Sequence, residues 1–238
     1  MKNEYDAFTA FHYNAYRPQL HSQILEHCIS TKTYFLGLDV GCGTGQSAIA
    51  LTKNCQNVIG IDPSTEMLGK SIEHPKVVYH HYDGHIFNFQ DYQFDVITFA
   101  GSLFYAKSQQ LLDEVVRVSK NEADIIIYDF DILLNPLLEK LNLKINSSDY
   151  NHQINFEGLN QEYLTLKKEL KAPISQPIST SNIAHIILSV QDYYQPLADH
   201  YGQNNLHHNI AQQLTEICKE ETITIRANTF ATVYQIKK

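Results

Sequence analysis

Three glycines within five residues constrain this chain more than any other feature. An apolar run of Phe35, Leu36, Leu38 and Val40 leads into Asp39-Val40-Gly41-Cys42-Gly43-Thr44-Gly45-Gln46, and Ala48, Ile49, Ala50 and Leu51 follow at the spacing of a buried helix. The order is therefore strand, glycine turn, helix. A turn this tight, aimed at a ligand, calls for residues without a Cβ, because glycine adopts positive φ freely and lets backbone N–H groups approach closely. Residues 54 to 62 read as a second short strand, with Val58, Ile59, Gly60 and Ile61 running into a carboxylate at Asp62.

The same alternation continues. A third strand is predicted at Lys76 to Tyr82, running into Asp83-Gly84-His85, after a helix that Ser64 caps and that ends near His74-Pro75. The fourth strand is Phe94 to Ala100. An amphipathic helix over 108–119 turns Leu111, Leu112, Val115 and Val116 inward, and Arg117 on it reads as structural. The fifth strand, Asp124 to Phe130, holds the run Ile125-Ile126-Ile127 expected of a strand buried on both faces. Leu133 to Leu143 looks helical, and Asn146 to Asn160 is polar and turn-rich. Tyr163 to Lys171 alternates as a strand that Pro173 and Pro177 close off. Ser181 is placed as the cap of a helix over Ile183 to Val190, a further helix covers Leu206 to Cys218, and Thr222 to Ile236 favours a last strand. That makes seven strands. The first five alternate with helices, so right-handed crossovers make them parallel and put ligands beyond their carboxyl ends.

Composition narrows the function classes. At 238 residues, 43% hydrophobic and 18% charged, the chain suits one large globular domain. Its formal charge of −8, with arginine only at Arg17, Arg117 and Arg226, gives no footprint for nucleic acid or anionic membranes. Cys28, Cys42, Cys55 and Cys218 are scattered without a C-x-x-C pair, so neither a zinc site nor a disulfide framework is expected, and reduced thiols suit a cytoplasmic location. The first residues are polar, and no stretch reaches the roughly 18 apolar residues of a membrane span.

Spacing separates two cofactor classes. The dinucleotide fingerprint is G-x-G-x-x-G, but here the glycines stand as G-x-G-x-G, with Gln46 where the last glycine would be. The stretch resembles motif I of the class I S-adenosylmethionine-dependent methyltransferases. The resemblance implies an α/β, Rossmann-like, doubly wound seven-stranded sheet, mostly parallel with an antiparallel last strand beside the fifth and helices on both faces. It implies a single domain over 1–238: arm and helix over the pocket at 1–32, cofactor core at 33–130, substrate-side insertion at 131–160, and the C-terminal half of the sheet at 161–238. S-adenosyl-L-methionine would be the cofactor and S-adenosyl-L-homocysteine the product. Asp39, Gly41, Cys42, Gly43, Gly45, Pro63, Met67 and Ala100 would contact it, Asp62 would take the ribose, and Asp83, with Gly84 and His85, would meet the adenine edge.

Tyr16-Arg17-Pro18 resembles the segment ahead of the core in the small-molecule branch that includes trans-aconitate and quinone-biosynthesis enzymes. The aromatic arm over residues 4–16 then reads either as packing or as a lid, with Tyr13 near the reactive methyl and Arg17 facing a carboxylate. Gly101-Ser102-Leu103-Phe104 departs from the Asn or Asp, Pro-Pro, aromatic pattern of exocyclic-amine nucleobase enzymes. No Pro-Cys nucleophile and no carboxylate set for a metal are present. Expected partners are a small-molecule acceptor, no nucleic acid and no membrane, in a monomer or homodimer.

A sulfonium methyl needs orientation more than side-chain chemistry, so no catalytic residue is obligatory. For a hydroxyl or acidic-carbon acceptor, His12, Tyr13, His85 and His152 are candidate bases. His152, Asn155 and Phe156 could line the acceptor pocket. Two alternatives stay open: a non-catalytic adenosylmethionine-binding protein, and a dinucleotide-dependent oxidoreductase, the latter disfavoured by Gln46.

Overall fold

In a computed structural model the described residues are 9, 11, 12, 15, 16, 18–84, 86–143 and 149–238. Seven strands form one sheet in the order β3-β2-β1-β4-β5-β7-β6, with β1 at Tyr34–Val40, β2 at Cys55–Asp62, β3 at Val77–His81, β4 at Phe94–Ala100, β5 at Ser119–Ile132, β6 at Leu164–Ser179 and β7 at Thr222–Ile236. Strand β1 pairs in parallel with β2 and β4, β2 with β3, and β4 with β5. The last strand reverses. Leu133 N–H donates to Arg226 O at one end of the β5/β7 pair, and Gln235 reaches Glu122 O at the other. Those partners run in opposite directions along the chain, so β7 is antiparallel to β5. Lys237 bonding Tyr163 and Thr229 bonding Ala172 show the same for β6. The expected topology is therefore present, down to the last strand beside the fifth.

Two compact units share the chain, one comprising Gln19–Asp131, Asp149–Ala172 and Thr229–Lys238, the other Met1–Pro18, Ile132–Ser148 and Pro173–Asn228. Residues 161–238, expected as one half of a sheet, thus supply β6, β7 and three helices divided between the two units.

The first unit carries the glycine turn. Helix α1 (Leu20–Ile29) buries Leu20, Ile24, Leu25 and Ile29 and packs on α2 (Gln46–Leu51). Ser64 caps α3 (Thr65–Leu68) by accepting from Met67 N–H, but this helix is a single turn and stops well short of His74. After α4 (Leu103–Ala106) comes α5 (Gln109–Val118), capped by Ser108, whose Oγ accepts from Leu111 N–H. Leu38, Ile97, Phe99, Leu112, Val115, Ile125 and Ile127 form the centre of its core. Arg117 is structural, as expected: it donates to Glu114 and Asp91 carboxylates and to the Phe87 and Phe89 carbonyls, tying the segment ahead of β4 to α5. Phe156 is a correction. It is fully buried in this core, with Phe99 and Tyr234 as ring neighbours, and cannot line an acceptor pocket.

The second unit is helical around its strand segments. Helix α6 (Asn135–Lys140) occupies only the middle of the predicted 133–143 helix, and α7 (Thr180–Leu188) starts earlier than expected because Ser179, not Ser181, caps it by accepting from Asn182 N–H. Helix α8 (Gln191–Tyr201) has no counterpart in the sequence reading. Pro196 inside it cannot donate to the preceding turn, which weakens the local signal, yet burial of Tyr194, Leu197 and Ala198 holds the helix together. Helix α9 spans Leu206–Cys218, as predicted, and packs on α7.

Pro173 and Pro177 do not close β6, which runs on to Ser179. The strand lies at the end of the sheet order, so alternate backbone nitrogens face no neighbour. Two prolines four residues apart place their nitrogens on the same side, and an edge strand tolerates that. Among the described residues no helix is long and apolar enough to cross a membrane.

Candidate functional site

The turn after β1 is built by three glycines in left-handed conformation, for two different reasons. At Gly41 (φ 72°) a Cβ would lie 2.4 Å from Ser102 Cβ, and at Gly45 (φ 94°) 2.0 Å from Tyr79 Oη. At Gly43 (φ 54°) a Cβ would meet nothing within 4 Å. Gly41 and Gly45 therefore let the turn nest against the protein, while Gly43 faces open space. Gly41 and Cys42 N–H groups both donate to Ile61 O, which holds the turn onto the end of β2.

Two carboxylates brace this turn and the start of the helix after it. Asp62 is 8% exposed: its Oδ2 accepts from Gly43 N–H and its Oδ1 from Ser64 N–H, both at 2.8 Å. Each oxygen keeps a further lone pair for a ligand. Asp39 corrects the expectation of a ligand contact. It is fully buried, with Ser47 Oγ donating to one oxygen at 2.5 Å and Thr98 Oγ1 to the other at 2.7 Å. Burial pushes its carboxyl up to about 6, with Asp62 adding to the rise and the two hydroxyls opposing it. Asp39 thus ties β1, β4 and the start of α2 together beneath the turn. Cys42 is also buried, its sulfur directed at Gly60, so burial pushes its thiol well up and only its backbone serves the turn.

Neighbouring strand ends complete one side. Tyr82 N–H donates to Asp62 O, bringing Asp83 and Gly84 (φ 90°) beside the end of β2. Asp83 lines a cleft of about 390 Å³ together with Ile61, Tyr82 and Phe87. Pro63 is exposed and Met67 half-buried on α3, while Ala100 ends β4 opposite Tyr128 of β5. Tyr13, Arg17 and His85 lie outside the described residues, as does most of the arm over 4–16.

A second group of polar side chains gathers where β4 and β5 end. Gly101 (φ 71°) stands where a Cβ would lie 3.2 Å from Asp129 Oδ1 and 3.4 Å from Tyr150 Oη, and Tyr150 donates to Gly101 O at 2.7 Å. His152 Nδ1 meets Asp129 Oδ2 at 2.9 Å. The Asp129 hydrogen bond raises the His152 pKa above its ordinary value, against an opposing effect of burial. Ser102 next door donates to Val40 O and crowds Gly41, so this group and the glycine turn share neighbouring residues. Sequence reasoning found His152 but not Asp129, Tyr150, Ser47 or Thr98. Thr98 was visible as the one hydroxyl inside Val96-Ile97-Thr98-Phe99, whereas the Asp129–His152 pairing spans a loop and left no local pattern.

His12 belongs to the other unit, where its Nδ1 meets His185 Nδ1 at 2.9 Å and His207 stacks on His185. Burial, then the neighbouring His185 and His207, push the His12 pKa down to about 4. The described residues contain no group of three or more His, Cys, Asp or Glu suited to a metal.

Comparison with known proteins bears on this geometry. Residues 38–127 match the family described as "Methyltransferase domain". A proposed methyltransferase of Dictyostelium discoideum is 25% identical over 118 residues, which is 50% of this chain and 44% of that protein, so the match spans less than half of the relative's length. Among solved structures, a proposed type II methyltransferase from Anaeromyxobacter dehalogenans superposes with a TM-score of 0.64 at 15% identity, covering 94% of this chain and 98% of the other. A chain in the complex between the Haloferax volcanii Trm112 methyltransferase activator and a proposed methyltransferase gives 0.57 at 14% identity, covering 98% and 99%. The [4+2]-cyclase SpnF gives 0.53 at 15% identity, covering 92% and 81%. Residues 38–127 match a methyltransferase-domain family, and the chain shares its fold with the methyltransferase structures named above.

Proposed function

We propose that the protein binds S-adenosyl-L-methionine and transfers its methyl group to a small-molecule acceptor. The observation that carries this reading is the arrangement at Gly43: an open approach above a glycine N–H, with the Asp62 carboxylate alongside and the dinucleotide pattern broken at Gln46. A cradle that any Cβ at Gly43 would begin to fill fits a ligand lying directly on the backbone.

In this reading Asp62 holds the ribose hydroxyls through the lone pairs left by Gly43 and Ser64, and Asp83 with the Gly84 backbone meets the adenine edge. Gly41, Gly43 and Gly45 present backbone to the methionine portion, Asp39 keeps the turn rigid, and Pro63, Met67 and Ala100 border the space. His85 is assigned with Asp83 and Gly84 to the adenine edge. The cofactor supplies a methyl carbon on a sulfonium, already activated for in-line attack. The chain's task is to align an acceptor and exclude water, and such positioning is worth about 7 to 11 kcal/mol. The net charge of −8 favours a small acceptor over nucleic acid.

A non-methylating role remains as a second reading because one structure of the same fold is named for a cyclisation. Release of S-adenosyl-L-homocysteine in the presence of candidate acceptors separates the two. Cofactor binding with no turnover on any acceptor class would favour the second.

A further inference from the structure

We propose that Asp129 and His152 form a general-base pair and that the acceptor is a hydroxyl acidified by a planar ring, such as a phenol or enol. The inference rests on the methyl-transfer reading above and adds to it the acceptor class and the group that takes the acceptor's proton.

The geometry comes first. His152 Nδ1 is held by Asp129 at 2.9 Å, which leaves Nε2 as the ring nitrogen open to another partner. With a carboxylate accepting Nδ1–H, neutral imidazole carries its lone pair on Nε2, the tautomer a base requires. Asp129 is fixed in turn: its other oxygen accepts from Phe130 N–H, and Gly101 provides room where any side chain would press on it. His152 lines a cavity of about 390 Å³ with Asn155, Glu169, Lys171, Phe230 and Thr232. Rings surround it. Tyr150 stands edge-on to the imidazole at 4.7 Å, Phe230 is stacked at 6.2 Å, and Phe104 packs on Tyr150 at 4.5 Å. Phe230, which also lines the cavity, offers a flat face that favours a flat acceptor.

Charge then selects among acceptors. The carboxylates around His152 are Asp129 and Asp131 from β5, Glu157 from the loop and Glu169 from β6, with Lys171 as the cation on β6. A carboxylate acceptor needs no base and meets this acidic lining unfavourably. An imidazole whose pKa Asp129 raises is matched to an acidic hydroxyl far better than to an aliphatic alcohol. Once protonated, it also stabilises a phenolate and repels an ammonium. In the step, the acceptor O–H proton moves to His152 Nε2 and the oxygen lone pair forms the bond to the methyl carbon. The carbon–sulfur bond breaks with its electron pair on sulfur, and the imidazolium later releases its proton to solvent.

The test has two parts. NMR titration of His152 in the intact protein should give a pKa above 6.5 that falls on Asp129→Asn, while S-adenosyl-L-homocysteine affinity stays unchanged. A panel of phenols that includes 4-nitrophenol, assayed beside aliphatic alcohols, amines, thiols and carboxylates, should show turnover on phenols. That turnover should rise with pH through the His152 pKa and fall at least 100-fold in His152→Gln. Bound 4-nitrophenol should also show more phenolate absorbance with wild type than with His152→Gln. A His152 pKa indifferent to Asp129→Asn, or turnover confined to non-phenolic acceptors, or phenol turnover unaffected by His152→Gln, overturns the proposal. A protein that binds S-adenosyl-L-homocysteine but methylates no phenol overturns the proposal and leaves cofactor binding standing, and failure to bind it overturns the underlying reading.

Discussion

Gly43→Ala and Gly45→Ala make the same chemical change two residues apart, and the structure assigns them opposite consequences. At Gly45 the new methyl falls 2.0 Å from Tyr79 Oη and 2.6 Å from its Cζ, so the ring must leave. Tyr79 Oη donates to Ile72 O at 2.9 Å, and that hydrogen bond goes with it. Left-handed strain of about 1 to 2 kcal/mol, overpacking of about 1 to 3 and a lost hydrogen bond of about 0.5 to 1.5 sum to about 2.5 to 6.5 kcal/mol, an upper range that partial relaxation lowers. At Gly43 only the strain applies, because the methyl enters open space. Urea denaturation should therefore place Gly43→Ala within about 2 kcal/mol of wild type and Gly45→Ala well below it, with m unchanged in both. Calorimetry with S-adenosyl-L-homocysteine should show the reverse order of damage, with Gly43→Ala losing affinity. Adding Tyr79→Ala to Gly45→Ala removes the clashing ring, so the pair should show a favourable coupling of about 1 to 3 kcal/mol. Equal stability of the two single variants, or coupling near zero, would refute the division between a packed and an open glycine.

Asp62→Ala removes charge-assisted hydrogen bonds of about 1.5 to 3 kcal/mol and should weaken S-adenosyl-L-methionine binding roughly 10- to 150-fold in a protein that still folds. His12 and His185 are held neutral by burial, each with its pKa lowered to about 4. Unfolded histidines take up protons below about pH 6.5 and these do not, so stability is full above that value and falls as pH drops toward 4. Hydrogen exchange in α7 should quicken across that window, and His185→Gln should flatten the response. Duplex DNA and RNA should not retain the protein at physiological salt, a result that a filter-binding titration checks.

The sheet was legible because its strands are short apolar runs punctuated by Gly, Asp and Pro, and the parallel crossovers leave one topology. The prolines of β6 misled because they are read locally as breakers, while an unpaired edge makes them harmless. Ser179 displaced Ser181 as a cap because both residues carry the same chemistry and the local sequence does not separate them; Ser179 is the one that accepts from Asn182 N–H. Motif spacing placed Gly41, Gly43, Gly45 and Asp62 around one turn. It assigned Asp39 to the ligand because a motif carries no burial, and the hydroxyls of Ser47 and Thr98 that occupy its oxygens lie on other elements. His152 was one of twelve histidines until the fold set Asp129 against it.

The central claim is cofactor identity, and one calorimetric experiment tests it most directly: titration of the purified protein with S-adenosyl-L-methionine and, separately, with NAD. Binding of the first at one site per chain, abolished or strongly weakened by Gly43→Ala, is the predicted result. Binding of NAD with no heat from S-adenosyl-L-methionine would contradict it.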